Sequence, residues 1–265
     1  MIRISTLPTL NENPMLRHPT LEKLNVLKLT GMSRALQEQE TFPEIGGLSF
    51  EERLGLLADR ELTERGNRRL AMRLRLAKLR QAVAIEDLDF RSARGIDKAL
   101  VANLAACQWV HEHLNVLICG PTGVGKTFLA CALAHKACRE GYSAFYARLP
   151  RLLPELELGR GDGRYAKLMK SLAKIDVLVL DDLGIAPLTE HARRDLLELM
   201  DDRYNTRSTV ITSQLPVAQW HDAIGDPTLA DAILDRLVHN AYKIALQGNS
   251  MRKTKEKLTS AKSAE

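Results

Sequence analysis

The sequence predicts an α/β protein in which a parallel sheet is flanked by helices and preceded by a small all-helical N-terminal domain. Three observations support this fold class. Short apolar runs alternate with helical segments after residue 95, and such alternation indicates a parallel sheet covered by helices. Residues 20–89 show leucines at helical spacing and no strand pattern. A glycine-rich loop joins one apolar run directly to a helix, as in phosphate-binding α/β proteins.

The chain divides into four predicted parts. Residues 1–19 carry three prolines and little periodicity, so we expect a flexible tail. Residues 20–89 form the helical domain and residues 90–247 the α/β domain, which opens with a linker, FRSARG, at residues 90–95. Residues 248–265 are rich in lysine and are expected to form a basic C-terminal tail.

The helical domain opens with leucines at helical spacing: Leu21, Leu24, Leu27 and Leu36. Residues 41–47 (TFPEIGG) then interrupt the pattern. Ser49 and Glu52 form a capping-box pair, in which each side chain accepts a hydrogen bond from the other's backbone N–H. The helix that follows is predicted to reach Ala84, with Gly66 as a potential break point.

In the α/β domain, strands are predicted at residues Asn115–Cys119, 143–147, 176–180 and 209–212. Helices are predicted at residues 96–113 and Lys126–Arg139, and again after Ala218. The order of the strands stays open. If the sheet is that of additional-strand ATPases, we expect two or more strands between the strand at 115–119, which precedes the glycine-rich loop, and the strand at 176–180, which precedes two aspartates. The strand at 143–147 is a candidate for one of them. Simple nucleotide kinases place these two strands side by side.

The bulk composition narrows the class of protein. At 265 residues the chain can bury a full core. A net charge of +5 and a pI near 9.0 suit an anionic partner without requiring one. The four cysteines lie in apolar stretches, which indicates buried, reduced thiols. No apolar stretch approaches the roughly 20 residues of a membrane span, and the N-terminus lacks the apolar core of a signal peptide, so we expect a cytoplasmic protein.

Residues 120–127 (GPTGVGKT) match the phosphate-loop pattern GxxxxGK[ST] at every position. We expect Lys126 to reach the β- and γ-phosphates of ATP, and the Thr127 hydroxyl to bind Mg²⁺. The other loop residues are expected to surround the phosphates: Gly120, Pro121, Thr122, Gly123, Val124 and Gly125. The alternative is a structural glycine-rich turn, but the strand before the loop and the helix after it favour phosphate binding.

Two carboxylates follow the most apolar strand, in the run VLVLDD at residues 177–182. Open α/β sheets bind ligands at the carboxyl ends of their strands. We therefore expect Asp181 to hold Mg²⁺, directly or through water, and Asp182 to act as the general base that polarises the attacking water. The alternative for this pair is a helix cap or a turn.

Six motifs carry a family resemblance: LSFEERLGLLADRE (48–61), GPTGVGKTFLACAL (120–133), DVLVLDDLG (176–184), ITSQLP (211–216), LADAILDRLVHNA (229–241) and GNSMR (248–252). Together they resemble the IstB family of AAA+ helper ATPases in insertion-sequence transposition, which is related to DnaC-type helicase loaders. The resemblance covers nearly the whole chain. It implies an AAA+ core that hydrolyses ATP to ADP and phosphate with Mg²⁺.

The resemblance also implies roles for single residues. Gln214 falls at the sensor-1 position, where a polar side chain contacts the γ-phosphate or the attacking water, although related loaders often carry Asn there. Arg236 matches the arginine finger, which acts on the ATP of a neighbouring subunit; a surface salt bridge is the alternative. Arg252 matches the sensor-2 position. A finger in trans implies a homo-oligomer with ATP at its subunit junctions, as a ring or an open helix.

Two basic clusters suggest a nucleic-acid partner. Residues 65–80 contain seven basic residues and no acidic one. As a helix they would place Leu70, Leu74 and Ala77 on one face and these arginines on another: Arg65, Arg69, Arg73 and Arg80. The second cluster lies between two predicted strands, where the resembling family has a helical insertion that lines a nucleic-acid channel: Arg148, Arg151, Arg160, Arg164, Lys167 and Lys170.

From these clusters, six residues are predicted to contact duplex DNA: Arg65, Arg69, Arg73, Arg148, Arg164 and Lys167. Because no recognition helix or zinc-finger motif is present, binding should depend little on DNA sequence. A solvated basic face is the alternative reading of each cluster.

The leading hypothesis is an ATP-dependent DNA-binding regulator that assists a partner transposase. The second hypothesis is a DnaC-type replicative helicase loader, which would share the ATPase chemistry. Two others are a metabolic P-loop kinase and a nucleotide-gated scaffold with little turnover.

Overall fold

The computed structural model of the chain describes these residues: 19–42, 45, 47–90 and 95–251. Residues 1–18 of the predicted N-terminal tail, most of the linker and most of the C-terminal tail therefore lie outside the described residues. The chain forms two compact units, Met1–Arg69 and Leu70–Glu265. Residues 70–89, which the sequence assigns to the helical domain, are part of the second unit in the structure.

The first unit contains helix α1 (Pro19–Val26), helix α2 (Thr30–Thr41) and most of helix α3 (Phe50–Ala77). The predicted capping box at the start of α3 is confirmed. The Ser49 N–H donates to Glu52 Oε2 over 2.8 Å, and the Glu52 N–H donates to Ser49 Oγ over 3.2 Å. Helix α3 continues through Gly66 and ends before Ala84, because Lys78 adopts a left-handed conformation with φ of 48°.

Five strands form one parallel sheet in the described part of the second unit: β1 (Asn115–Cys119), β2 (Ala144–Arg148), β3 (Val177–Leu183), β4 (Ser208–Ser213) and β5 (Ala241–Ala245). Their order is β2-β3-β4-β1-β5. Only β4 lies between β1 and β3, so the strand order matches neither of the two arrangements that the sequence left open. The predicted 143–147 strand is β2, which lies at the edge of the sheet beside β3. Strand β5 was missed, because the sequence after residue 218 was interpreted as helical throughout.

Eight helices of this unit are described: α4 (Lys98–Ala105), α5 (Gln108–His111), α6 (Lys126–Arg139), α7 (Leu149–Gly161), α8 (Tyr165–Lys174), α9 (Glu190–Arg203), α10 (Trp220–Ile224) and α11 (Pro227–Val238). The prediction for α6 is confirmed at both ends. The predicted helix at 96–113 is two helices, because Cys107 adopts a left-handed conformation with φ of 58° between them.

The sheet has an apolar layer on each face. Val116 and Ile118 of β1 pack in one layer with α6, while Leu117 packs in the opposite layer with α9 and α11. Burial on both faces explains the apolar runs of β1 and of the first four residues of β3. All four cysteines are buried, as expected, and desolvation raises the pKa of Cys138 to about 11. Among the described helices, none has the length and hydrophobicity that a membrane span requires.

Candidate functional site

The predicted phosphate loop connects β1 to α6, and its glycines are required by the backbone. Gly120, Gly123 and Gly125 have φ values of +146°, +87° and +104°, which residues with a Cβ rarely adopt. A Cβ at Gly120 would lie 2.3 Å from the Leu246 carbonyl oxygen, and a Cβ at Gly123 would lie 2.2 Å from Ser250 Oγ. The loop therefore curls at the N-terminus of α6, where backbone N–H groups and the helix dipole favour an anion.

Lys126 is the first residue of α6 and is only 7% exposed. Its Nζ donates hydrogen bonds to the carbonyl oxygens of Gly120 and Pro121, over 2.7 and 2.8 Å. These bonds hold the ammonium group against the phosphate loop. A lysine held there suits the phosphate groups of a nucleoside triphosphate.

A hydrogen bond joins the phosphate loop to the acidic strand. Thr127 Oγ1 donates to the Asp181 carboxylate, with 2.9 Å to Oδ1 and 3.1 Å to Oδ2. Asp181 is fully buried and also accepts bonds from the Tyr146 hydroxyl, over 2.5 Å, and from Thr212 Oγ1. A hydroxyl beside a carboxylate is an oxygen donor set of the kind that Mg²⁺ prefers. The residues present thus fit the predicted nucleotide and its metal ion.

A β-bulge directs both carboxylates toward this edge of the sheet. Leu180 pairs with Ile211, but the next pair joins Leu183 to Ser213, so Asp181 and Asp182 face the single residue between those partners. That residue is Thr212, and its Oγ1 accepts a hydrogen bond from the Asp182 N–H over 3.1 Å. The Asp182 backbone is left-handed, with φ of 71°. In a regular strand, two consecutive side chains would point to opposite faces. The bulge removes this alternation.

Arg148 at the end of β2 pairs with Asp182. Its Nε and Nη2 donate to Asp182 Oδ2 over 2.9 and 2.7 Å. Arg80 also approaches the acidic pair, with 3.7 Å between its Nη1 and Asp181 Oδ2, and a hydrogen bond with Tyr146 raises the pKa of Arg80. Since Arg80 lies beyond the end of α3, its predicted place on one helical face with the other arginines was wrong. Arg148, predicted as a DNA contact, belongs in this structure to the carboxylate cluster.

Gln214 follows the last residue of β4 and contacts the phosphate loop. Thr122 Oγ1 donates to Gln214 Oε1 over 2.7 Å. A cavity of about 360 Å³ opens between the phosphate loop, Gln214, Asp182 and the two arginines Arg80 and Arg148. We refer to it below as the nucleotide cavity.

The chain after β5 crosses the phosphate loop. The Leu246 N–H donates to the Cys119 carbonyl oxygen over 2.8 Å, and the Met251 N–H donates to the Gly123 carbonyl oxygen over 3.0 Å. Met251 also lines the nucleotide cavity. Arg252 lies outside the described residues, so its sensor-2 role stays a prediction.

Arg236 lies on α11, near the amino-terminal end of β1 and away from the carboxyl ends of the strands where the nucleotide cavity lies. Asn115, the first residue of β1, donates from Nδ2 to the Arg236 carbonyl oxygen over 3.2 Å, whereas the phosphate loop follows the last residue of β1. A strand of five residues spans roughly 16 Å, so Arg236 is remote from the phosphate loop of its own chain. Its guanidinium donates to Asp201 and to the Ala232 carbonyl oxygen.

The predicted DNA contacts on α3 are Arg65, Arg69 and Arg73, and the three have different neighbours. In the first unit, Arg65 pairs with Glu61 over 2.7 Å, and Arg69 is exposed. In the second unit, Arg73 Nη1 donates to the Cys138 carbonyl oxygen over 3.4 Å. The predicted apolar face of this helix packs in the sheet unit through Leu70, Leu74 and Ala77.

Helix α8 carries a row of lysines. Arg164, just before this helix, pairs with Asp162 over 2.6 Å. Lys167, Lys170 and Lys174 follow at helical spacing on the exposed side of α8, and none of the three forms a salt bridge with another described residue. We refer to these three residues as the lysine row; Lys167 is the one predicted DNA contact within it.

Sequence reasoning missed three residues of the nucleotide site: Arg80, Tyr146 and Thr212. Tyr146 could have been noticed as a hydroxyl-bearing side chain in an otherwise apolar strand, and Thr212 as part of the ITSQ motif. Arg80 was predicted only as part of a basic helical face, because its place at the site depends on where α3 ends.

Comparisons with known proteins indicate which family the chain belongs to. The profile of the family described as IstB-like ATP binding protein matches residues 22–260. A Sinorhizobium fredii protein, whose name assigns it to an insertion sequence and to ATP binding, is 56% identical over 243 residues, covering 92% of this chain and 99% of that protein.

Two solved structures share the fold. That of DnaI has a TM-score of 0.55 at 22% identity, covering 62% of this chain and 91% of that chain. That of the DnaC helicase loader has a TM-score of 0.51 at 21% identity, covering 62% of this chain and 96% of that chain. The second unit thus has the fold of these proteins, a parallel sheet flanked by helices with a phosphate loop between β1 and α6, as the resemblance implied. Since the family match extends over most of its length, the chain belongs to the family of IstB-like ATP binding proteins.

Proposed function

We propose that this protein is a cytoplasmic, ATP-dependent, DNA-binding regulator of DNA transposition, which assembles on duplex DNA and hydrolyses ATP to assist a partner transposase. The observation that carries the ATPase part is the hydrogen bond from Thr127 to Asp181. It brings the phosphate loop and the acidic strand together across β4, with the hydroxyl and carboxylate oxygens that a magnesium triphosphate requires.

Six residues of the nucleotide site have a role in the proposed hydrolysis. Lys126 neutralises phosphate charge, and Thr127 and Asp181 hold Mg²⁺, which when bound stabilises the charge on the phosphate oxygens. Asp182 accepts the proton of the attacking water. Both bonds from Arg148 reach Oδ2 of Asp182, so Arg148 leaves Oδ1 available for the water. Gln214 contacts the γ-phosphate or that water.

The position of Arg236 supports assembly into a homo-oligomer. Because Arg236 lies at the edge of the sheet away from its own phosphate loop, it can act only on the nucleotide of another copy. Head-to-tail contacts of this kind build a ring or an open helix. In this proposal, ATP binding favours assembly, and hydrolysis releases it.

The lysine row supports DNA binding through the phosphate backbone. We expect the affinity for duplex DNA to fall steeply with salt and to change little with base sequence, because each neutralised phosphate releases condensed counterions. Fluorescence anisotropy with two unrelated duplexes, over a series of salt concentrations, measures both dependences. A salt-insensitive or sequence-specific complex would contradict this part of the proposal.

The family match and the 56% identical insertion-sequence relative support a transposase as the partner. The likeness to the DnaC helicase loader is one of fold, at 21% identity. A pull-down with the transposase of the same insertion sequence and with a replicative helicase separates the two partners. Retention of the helicase alone would reject the proposed role in transposition.

A further inference from the structure

A second cavity, of about 350 Å³, lies beside β2, at the edge where the described sheet has no further strand. We call it the basic cavity. Cationic side chains from three parts of the chain line it, together with one carboxylate, that of Glu155: Lys78 and Arg80 after α3, Arg148 at the end of β2, and Arg151 in the first turn of α7. Sequence analysis placed these residues in two separate basic clusters, and the fold brings them together.

The charges in the basic cavity are only partly compensated. Arg80 and Arg148 are engaged by Asp181 and Asp182. Lys78 and Arg151 form no ion pair with any residue that the structure describes; the Lys78 ammonium lies 5.5 Å from the centroid of the Phe145 ring. Cations that line a concave surface repel one another, and their combined positive potential attracts anions. An anionic ligand would relieve this repulsion.

The chemistry of the lining favours phosphate. Three of the four cations are arginines, whose planar guanidinium groups bind phosphate oxygens in a bidentate manner. The lysine row on α8 is a further basic surface in the same unit. Two basic surfaces in one unit suit a long polyanion better than a short acidic peptide, since a nucleic-acid backbone supplies a phosphate at every nucleotide.

We propose that the basic cavity binds a phosphodiester group of duplex DNA. This inference rests on the proposed function, of which it specifies one contact. Arg80 and Arg148 line both the basic cavity and the nucleotide cavity, so the DNA phosphate and the nucleotide would share two guanidinium groups. Lys78 and Arg151 line the basic cavity and not the nucleotide cavity, which makes them the residues to substitute.

The test is the DNA affinity of the double variant Lys78→Gln/Arg151→Gln, measured by anisotropy with a labelled duplex at several salt concentrations. Loss of one phosphate contact should make the plot of log affinity against log salt less steep by about 0.9. This change corresponds to about an eightfold loss of affinity at 0.1 M salt. The matched control is Lys98→Gln/Arg194→Gln, which removes the same charge from exposed residues outside the cavity. The charge-retaining variant Lys78→Arg/Arg151→Lys should keep the salt dependence of the wild type, because that dependence follows the number of charges that contact phosphate.

Several outcomes would overturn the proposal. An unchanged slope and affinity in the double variant would do so, as would an equal loss in the matched control, since the effect would then be one of net charge. If the double variant loses binding of inorganic phosphate but keeps its DNA affinity, the cavity is a site for a free anion. If the wild-type protein binds no DNA at all, the proposed function itself fails, and that result is distinguishable from the others.

Discussion

Arg236→Ala is expected to retain ATP binding and to reduce turnover by about 10³- to 10⁵-fold, the range measured for arginine fingers. The reason is that Arg236 lies near the start of β1, whereas the phosphate loop of its own chain follows the end of β1. Removing its guanidinium would take positive charge from the transition state in a neighbouring copy. Steady-state phosphate release, with ATP binding measured separately by calorimetry, gives both quantities.

Two further variants make this prediction specific. Asp201→Ala removes the partner of Arg236 within the same chain but leaves the arginine, so turnover should persist. Mixing Arg236→Ala with Lys126→Ala should restore part of the activity, because one chain supplies an intact phosphate loop and the other an intact finger. If the mixture stays inactive, or if Asp201→Ala is as inactive as Arg236→Ala, the role of Arg236 in trans is wrong.

Asp182→Asn is expected to reduce turnover by about 10²- to 10⁴-fold, the usual contribution of a general base. Asparagine suits this test because it tolerates the left-handed backbone that Asp182 adopts, with φ of 71°. The amide cannot accept the proton of the attacking water, so the chemical step should fail while ATP remains bound. Phosphate release is the measurement.

The same assay separates two alternatives. Turnover that is unchanged in Asp182→Asn would show that Asp182 is not the base, and little turnover in the wild type would favour a nucleotide-gated scaffold. Free phosphate as the product distinguishes an ATPase from a metabolic kinase, which would transfer the phosphoryl group to a small molecule. A thermal unfolding curve for each variant controls for loss of the fold.

Features encoded by neighbouring residues could be predicted from the sequence. The phosphate loop and α6 follow from a contiguous motif, and the Ser49–Glu52 capping box follows from two residues three positions apart. The β1 and β3 strands were visible because burial on both faces requires apolar runs. These signals need no knowledge of the rest of the fold.

Features that depend on distant pairing could not be predicted. The bulge at Asp181 and Asp182 arises where β3 pairs with β4, and Thr212, which bonds to both residues, is 30 or more positions away. Arg80 approaches Asp181 because α3 ends at Ala77, before the end that periodicity indicates. Strand β5 is short and exposed along part of its length, so its pattern does not separate it from the preceding helix.

We expect residues 120–127 to bind the triphosphate of ATP, with Lys126 neutralising its charge. Isothermal titration calorimetry of Mg-ATP with the wild-type protein and with Lys126→Ala measures this binding. Loss of hydrogen bonds to a charged group should weaken binding by about 10- to 150-fold. Equal affinity in the two proteins would contradict the assignment of the nucleotide site, and with it the proposed role in ATP-dependent transposition.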